Sequence, residues 1–244
     1  MRDLLIDIGN TAVHYGLARK HGLVFTGKKN TKDFKLSLPK LIGRHKPKRV
    51  FICSVVPGVC KEIRRILKEN DVSIFECGRE IDIPVRNLYQ RPHEVGQDRL
   101  INVFAAKALY KNIRLVIDLG TALTFDFISS RGEYLGGLIF PGMSTSLSGL
   151  LKNCALLPDK ITLKSRVRLQ GKSTSECVVS GIVLGYSFLV GGLMGHIKKG
   201  KKKPFKVLLT GGDCEFIKKD IAKVDYTDSR LSLKGLCELR YSIE

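Results

Sequence analysis

A chain of 244 residues, 43% of them hydrophobic, can fill one large core or two cores of roughly 120 residues each. With aromatics modest and Trp absent, no large aromatic platform for stacking nucleic-acid bases is evident, and seven cysteines without a C-x-x-C pair give no zinc-site spacing and read as reduced thiols. The formal net charge of +19 fits acidic small molecules, a solvated basic surface, or a nucleic-acid or acidic-membrane partner.

The chain enters directly into an apolar strand, Leu4-Leu5-Ile6-Asp7-Ile8, with no visible targeting segment, so a cytoplasmic location is expected. Gly9-Asn10-Thr11 follow. A glycine without a Cβ, two polar side chains and the loop amides suit a phosphate cradle, and Asp7 suits a phosphate-bound Mg²⁺, directly or through water. A plain strand-to-turn junction reads equally well here. Strands are predicted at Val13 to Ala18 and Leu23 to Thr26, a short helix within 31–46, a strand from Arg49 stopped by Pro57-Gly58, a helix over Val59 to Asn70 and a strand over Val72 to Cys77.

Next comes an irregular stretch, Ile83 to Val95, with Tyr89, Arg91, His93 and Glu94. His93 reads as a surface residue. Gly96-Gln97-Asp98-Arg99 then leads into an apolar helix from Leu100 to Leu109, with Asp98 and Arg99 at its start. Asp98 either favours the start of that helix or deprotonates an alcohol; Arg99 can grip an anionic substrate tail.

Leu115-Val116-Ile117-Asp118-Leu119-Gly120-Thr121 repeats the first motif, and a predicted hairpin again follows, to Phe140. Two such units in one chain indicate an internal duplication. The glycines of Gly136 to Gly142 allow either close approach of a ligand or a turn. A helix is expected near Ser146 to Ala155, and Ser173 or Thr174 can cap the next one. Residues 178–197 carry no Asp, Glu, Lys or Arg, and the run KKGKKK begins at 198. A buried helix packed through its glycine face is expected in preference to a membrane span. A strand ends at Thr210-Gly211-Gly212; a short helix, a turn over 225–229 and a final helix from Leu231 complete the chain.

Taken together, Asp7-Ile8-Gly9-Asn10-Thr11, Ser54-Val55-Val56-Pro57, Glu94-Val95-Gly96-Gln97-Asp98-Arg99, Asp118-Leu119-Gly120-Thr121, Gly136-Gly137-Leu138-Ile139-Phe140-Pro141-Gly142 and Thr210-Gly211-Gly212 resemble, in this order, the type III pantothenate kinases, also described as Bvg accessory factor homologues. The first and fourth blocks alone would indicate only the wider superfamily of sugar and acetate kinases, heat-shock chaperone ATPases and actin. The resemblance implies an α/β fold of two tandem ribonuclease-H-like lobes, expected at 1–112 and 113–244, with ATP in a cleft between them. It implies a homodimer and phosphorylation of pantothenate by ATP, the first step towards coenzyme A.

By the same resemblance Asp7, Ile8, Gly9, Asn10, Thr11, Ala12, Val13 and His14 form the first phosphate loop, and Thr121 contacts ATP. Asp98 is the base, and Tyr89, Gly96, Gln97, Asp98 and Arg99 line the substrate pocket. Asp118 holds a monovalent cation, K⁺ or NH₄⁺, and Thr174 reaches the partner subunit's substrate. Gln97, Ala12 and Ser173 depart from the usual Ala, Asn and Asn. An ATP-responsive regulator that binds nucleic acid through the basic surface is the alternative, and a kinase for another small alcohol is a third reading. Neither a membrane nor a nucleic-acid partner is expected.

Overall fold

The computed structural model describes residues 2–20, 22–200, 204–219, 221 and 224–243. Residues 201–203, the second half of the Lys run, lie outside them. Chain contacts divide the protein into two compact units: residues 1–110, 128–135 and 230–244, and residues 111–127 with 136–229. The last segment therefore belongs with the N-terminal unit, where a simple division at 112/113 would not have put it.

In the first unit, β1 (Asp3–Ile8), β2 (Ala12–Arg19) and β3 (Gly22–Asn30) run antiparallel, and β4 (Arg49–Ser54) and β5 (Ser73–Glu76) continue parallel to β1. The sheet order is β3-β2-β1-β4-β5. Strand side chains alternate between faces. Leu4, Ile6 and Ile8 share one core with Val50, Ile52, Val13 and Leu17, and α1 (Phe34–His45) and α2 (Pro57–Glu69) close over it with Phe34, Leu38, Ile63 and Leu67. Asp3, Leu5 and Asp7 take the opposite face. There α3 (Gln97–Leu109) packs against a C-terminal helix, Leu231–Leu239, which a 3₁₀ turn, Arg240–Ile243, extends.

The second unit repeats the arrangement. β6 (Ile113–Leu119), β7 (Ala122–Ile128), β8 (Tyr134–Pro141), β9 (Lys206–Thr210) and β10 (Tyr226–Thr227) have the order β10-β9-β6-β7-β8. Its central strand again pairs antiparallel with its hairpin partner and parallel with the fourth strand. The same permutation twice is the structural form of the duplicated motif. The stretch over 225–229, expected as a turn, contains β10, which pairs parallel with β9; two residues are too short to show periodicity. α4 (Met143–Asn153), α5 (Thr174–Lys199) and α6 (Cys214–Ile217) follow their strands, and α7 denotes the C-terminal helix Leu231–Leu239.

α5 corrects one expectation. Its buried residues, Val179, Val183, Val190 and Met194 with Ser180 and Ser187, form one stripe. Gly181, Gly185, Gly192 and Gly195 lie away from it, with no atom near the place a methyl would take. The glycines are thus on the open face, beside Phe188, which is 74% exposed. α5 is the one helix among the described residues long and apolar enough to cross a membrane, and a third of its most apolar 18-residue stretch is buried.

Gly235 sets the spacing of α7 against α3: a methyl there would sit 2.8 Å from the Ile101 carbonyl oxygen and 2.9 Å from its Cγ1. In a helix interior Gly→Ala ordinarily stabilises by up to about 1 kcal/mol. Here overpacking of about 1–3 kcal/mol is larger. Gly235→Ala is expected to lower the melting temperature, as calorimetry would show; an unchanged or raised value would mean the two helices can part without loss.

Candidate active site

Asp7 occupies the penultimate position of β1, in register with His14 on β2 and Cys53 on β4. His14 is in turn opposite Lys28 on β3. Residues opposite one another share a face, so Lys28, His14, Asp7 and Cys53 form a row across the sheet at the end where β1 turns into its loop. The loop is closed by backbone: Gly9 N–H donates to Ala12 O at 3.0 Å and Val55 N–H to Ile8 O at 3.1 Å. Thr31 latches it from below, its hydroxyl donating to Gly9 O at 2.7 Å and its N–H to Thr11 O at 3.1 Å. Asn10 and Thr11 are exposed, as a ligand loop requires. The Ile8 and Val13 side chains lie in the core, so these two positions can offer a ligand only main chain.

Asp98 enters this site from α3. Gly96 is the N-cap of that helix and Asp98 stands in its first turn, its Oδ1 accepting from the Arg99 N–H at 2.8 Å. A methyl at Gly96 would strike that same Oδ1, so the loop needs a glycine for the carboxylate to lie where it does. The two aspartates are close enough for the charge of Asp98 to resist ionisation of Asp7. Burial is the larger cause and lifts Asp7 from 3.8 to about 6, while a hydrogen bond from Ser232 Oγ to its Oδ2, 2.6 Å long, pulls it back. Asp98 is also raised by burial, against the opposing effects of the Arg99 N–H and guanidinium. Cys53 is held well into the thiol form by its hydrogen bond with Cys77, by burial and by both carboxylates.

Arg99 lies over the Tyr134 ring, its Cζ 5.5 Å from the centroid, and Tyr89 packs on the same ring at 6.3 Å. The segment bearing Tyr89 is fixed there by main-chain bonds on both sides of Asn87: Tyr134 N–H to Arg86 O and Leu88 N–H to Tyr134 O, each 2.9 Å. Gln97 turns its amide onto Gly78, at φ +76° in the turn after β5, where a methyl would come within 2.9 Å of Nε2. His93 is exposed.

In the second unit Asp118 is half-buried near the end of β6, and Thr121 is exposed. Gly120 N–H donates to Ala122 O at 3.0 Å, so this loop is one residue shorter than the first. Two glycines bring backbone against it. Gly142 donates to Thr121 O at 2.9 Å and has no room for a methyl beside Gly120 O; Gly211, at φ +96°, abuts Leu119 O and Asp118 Oδ1. Thr145 Oγ1 donates to Thr121 O at 2.6 Å. Ser173, not Thr174, caps α5, accepting from Glu176 N–H at 3.3 Å while Glu176 accepts from Lys172 N–H at 2.8 Å. Thr174 is exposed at the first helical position.

Sequence reasoning missed Ser232, Thr31 and Tyr134. Each reaches the site from far along the chain, with no local spacing to mark it.

The sequence profile of the family described as type III pantothenate kinase matches residues 3–196. A type III pantothenate kinase from Desulfovibrio desulfuricans is 35% identical over 253 residues, covering 98% of this chain and 96% of the relative. The chain belongs to the type III pantothenate kinase family. Among solved structures, a Campylobacter jejuni protein described as a Baf family transcriptional activator superposes with a TM-score of 0.64 at 21% identity, covering 98% of each chain. The activator of 2-hydroxyisocaproyl-CoA dehydratase from Clostridium difficile, solved with ADPNP, gives 0.54 at 12% identity, covering all of this chain and 97% of its own. These last two likenesses concern the fold, a pair of ribonuclease-H-like units.

The raised Asp7 has a consequence for stability. Folding favours its neutral form, so this contribution is complete below about pH 3.8 and is lost as the pH rises through about 6. Asp98 acts in the same direction. His14, lowered by burial and by Lys28, acts in the opposite one. The difference between wild type and Asp7→Asn isolates the first group: without nucleotide, the variant is expected to gain melting temperature relative to wild type between pH 4 and pH 7. Parallel curves for the two proteins would mean that Asp7 is not held near neutrality.

Proposed function

We propose that this protein transfers the γ-phosphoryl group of ATP to the primary hydroxyl of pantothenate, giving 4′-phosphopantothenate and ADP, in the cytoplasm. Family membership over nearly the whole chain supports the reaction. The observation that carries the reading to particular residues is the approach of Asp98 to Asp7 at the end of β1, both carboxylates raised by burial.

Phosphoryl transfer asks for positioning and charge more than covalent chemistry. The acceptor hydroxyl forms its bond to the γ-phosphorus as the bond to the β–γ bridging oxygen breaks, and its proton passes to Asp98. A raised pKa suits that task, because the base need only take the proton as the new bond forms. Arg99 takes the pantothenate carboxylate, with Tyr89 beside it; the packing of both on Tyr134 supports this reading. Main-chain amides of Gly9 to Val13 and the exposed Asn10 and Thr11 take the phosphates. With one oxygen bonded to Ser232, Asp7 has Oδ1 left for Mg²⁺ or its water. Asp7 would hold Mg²⁺ through that oxygen, a hard donor of the kind this cation prefers. When bound, Mg²⁺ neutralises phosphate charge. In the second unit, Asp118 takes the K⁺ or NH₄⁺ role and Thr121 the ATP contact.

A homodimer accords with the open Gly181, Gly185, Phe188, Gly192 and Gly195 stripe of α5 and with Thr174 exposed at its start. The nucleic-acid regulator has no support among the type III pantothenate kinase relatives.

Purified protein with ATP, Mg²⁺, K⁺ and pantothenate is expected to yield ADP and phosphopantothenate in equal amounts, with a lower rate when K⁺ is omitted. ADP formation that does not depend on pantothenate would overturn the acceptor. Asp98→Asn is expected to bind ATP like wild type and to lose about 10²–10⁴-fold in turnover; undiminished turnover would remove Asp98 from its role.

A further inference from the structure

Helix α7 is tied to β1 at both ends. Near the loop, Ser232 Oγ donates to Asp7 Oδ2 at 2.6 Å. At the start of the strand, Arg240 Nη1 donates to Asp3 Oδ2 at 3.2 Å. Eight helical residues advance about 12 Å and four strand residues about 13 Å, so the two ties fall in step with helix and strand running in opposite directions. Between them Gly235 rests on Ile101 of α3, the helix that carries Asp98 in its first turn. One C-terminal helix thus fixes the strand bearing one carboxylate and touches the helix bearing the other.

The two ties differ in kind. Asp3 is buried and also takes a two-pronged bond from Arg49, 2.9 Å at each oxygen, while Arg240 donates further to the Cys237 and Arg19 carbonyls. That end is a structural anchor. Ser232 is half-buried and makes its bond at the mouth of the phosphate loop, beyond the residues matched by the family profile.

We propose that Ser232 is a positioning residue: resting on the kinase reading above, it holds Asp7 by Oδ2 and so presents Oδ1 to the cation of the bound nucleotide. An aspartate has two side-chain rotations, and a neighbouring carboxylate gives it reason to turn away. One short bond to a helix that is itself locked at Asp3 removes that freedom.

The test is titration of Mn²⁺ with a non-hydrolysable ATP analogue, followed by electron paramagnetic resonance, beside steady-state kinetics and melting temperature. Ser232→Ala is expected to weaken Mn²⁺–nucleotide binding on the order of tenfold, since a hydrogen bond to a charged group is lost, and to raise the KM for Mg·ATP while the KM for pantothenate holds. Ser232→Cys, which fills the same space with a poor donor, is expected to behave like Ser232→Ala, and Ser232→Thr to restore binding to within about threefold. In an Asp7→Asn background, Ser232→Ala is expected to add nothing. Wild-type binding by Ser232→Ala, equal losses in both backgrounds, or a fall in melting temperature alone would each overturn the proposal. The titration needs no acceptor, so absence of pantothenate phosphorylation by wild type would defeat the kinase reading while leaving this result legible.

Discussion

Desolvation of the half-buried Asp7 at the loop end of β1 is the constraint around which the first unit is arranged. The same strand carries a second acid, Asp3, and the contrast is instructive. Asp3 is matched by Arg49 and Arg240, so its charge is settled within the protein. Asp7 receives one hydroxyl hydrogen bond and faces a like-charged neighbour; among the described residues no Lys or Arg pairs with it. A desolvated acid left without a cation is an unfavourable choice for stability alone, and a perturbed acid beside another acid is the common signature of a functional site. The surroundings follow from this. Cys53 remains a neutral thiol next to the pair, and Gly96 makes room for Asp98 Oδ1.

The duplicated sheet explains why one physical solution appears twice with different detail. In each unit a central strand, flanked by an antiparallel hairpin partner and a parallel neighbour, ends in an Asp and a tight Gly turn. The first loop has one more residue and is latched by the Thr31 side chain. The second is shorter and is pressed by the backbones of Gly142 and Gly211, which stand where any side chain would collide. The extra residue and exposed Asn10 give the first loop more polar groups to offer; the second is the more tightly walled.

What could be read in the sequence was what is local. Strand alternation, the two Asp-x-Gly junctions and the Pro-Gly stop gave the strands of both sheets except β10 within a few residues, because period and turn chemistry are properties of adjacent positions. Helix α3 begins at Gln97, three residues before its apolar run, because its first turn is given over to the site. What was hidden depends on distant pairing. β10 exists only because β9 lies beside it. The open glycine face of α5 could not be told from a packed one, since small residues permit close approach without requiring it. Ser232 sits in an ordinary helix start, and only the return of α7 to β1 brings it to Asp7.

The departure at Gln97 shows how a local reading changes once its neighbours are known. By sequence, Gln97 is known only as a long polar side chain where the family usually has Ala. In the fold its amide lies on Gly78, in a turn whose positive φ favours a glycine and leaves a place without a Cβ. The length of Gln97 is taken up against the end of β5, within the wall, and the same turn would exclude most side chains larger than glycine. Three neighbouring groups are held independently of it: Asp98 by its own helix start, and Arg99 and Tyr89 by their shared packing on the buried ring of Tyr134. A substitution accommodated by a glycine across from it is a change of wall, and Asp98, Arg99 and the aromatic pair of Tyr89 and Tyr134 keep their places.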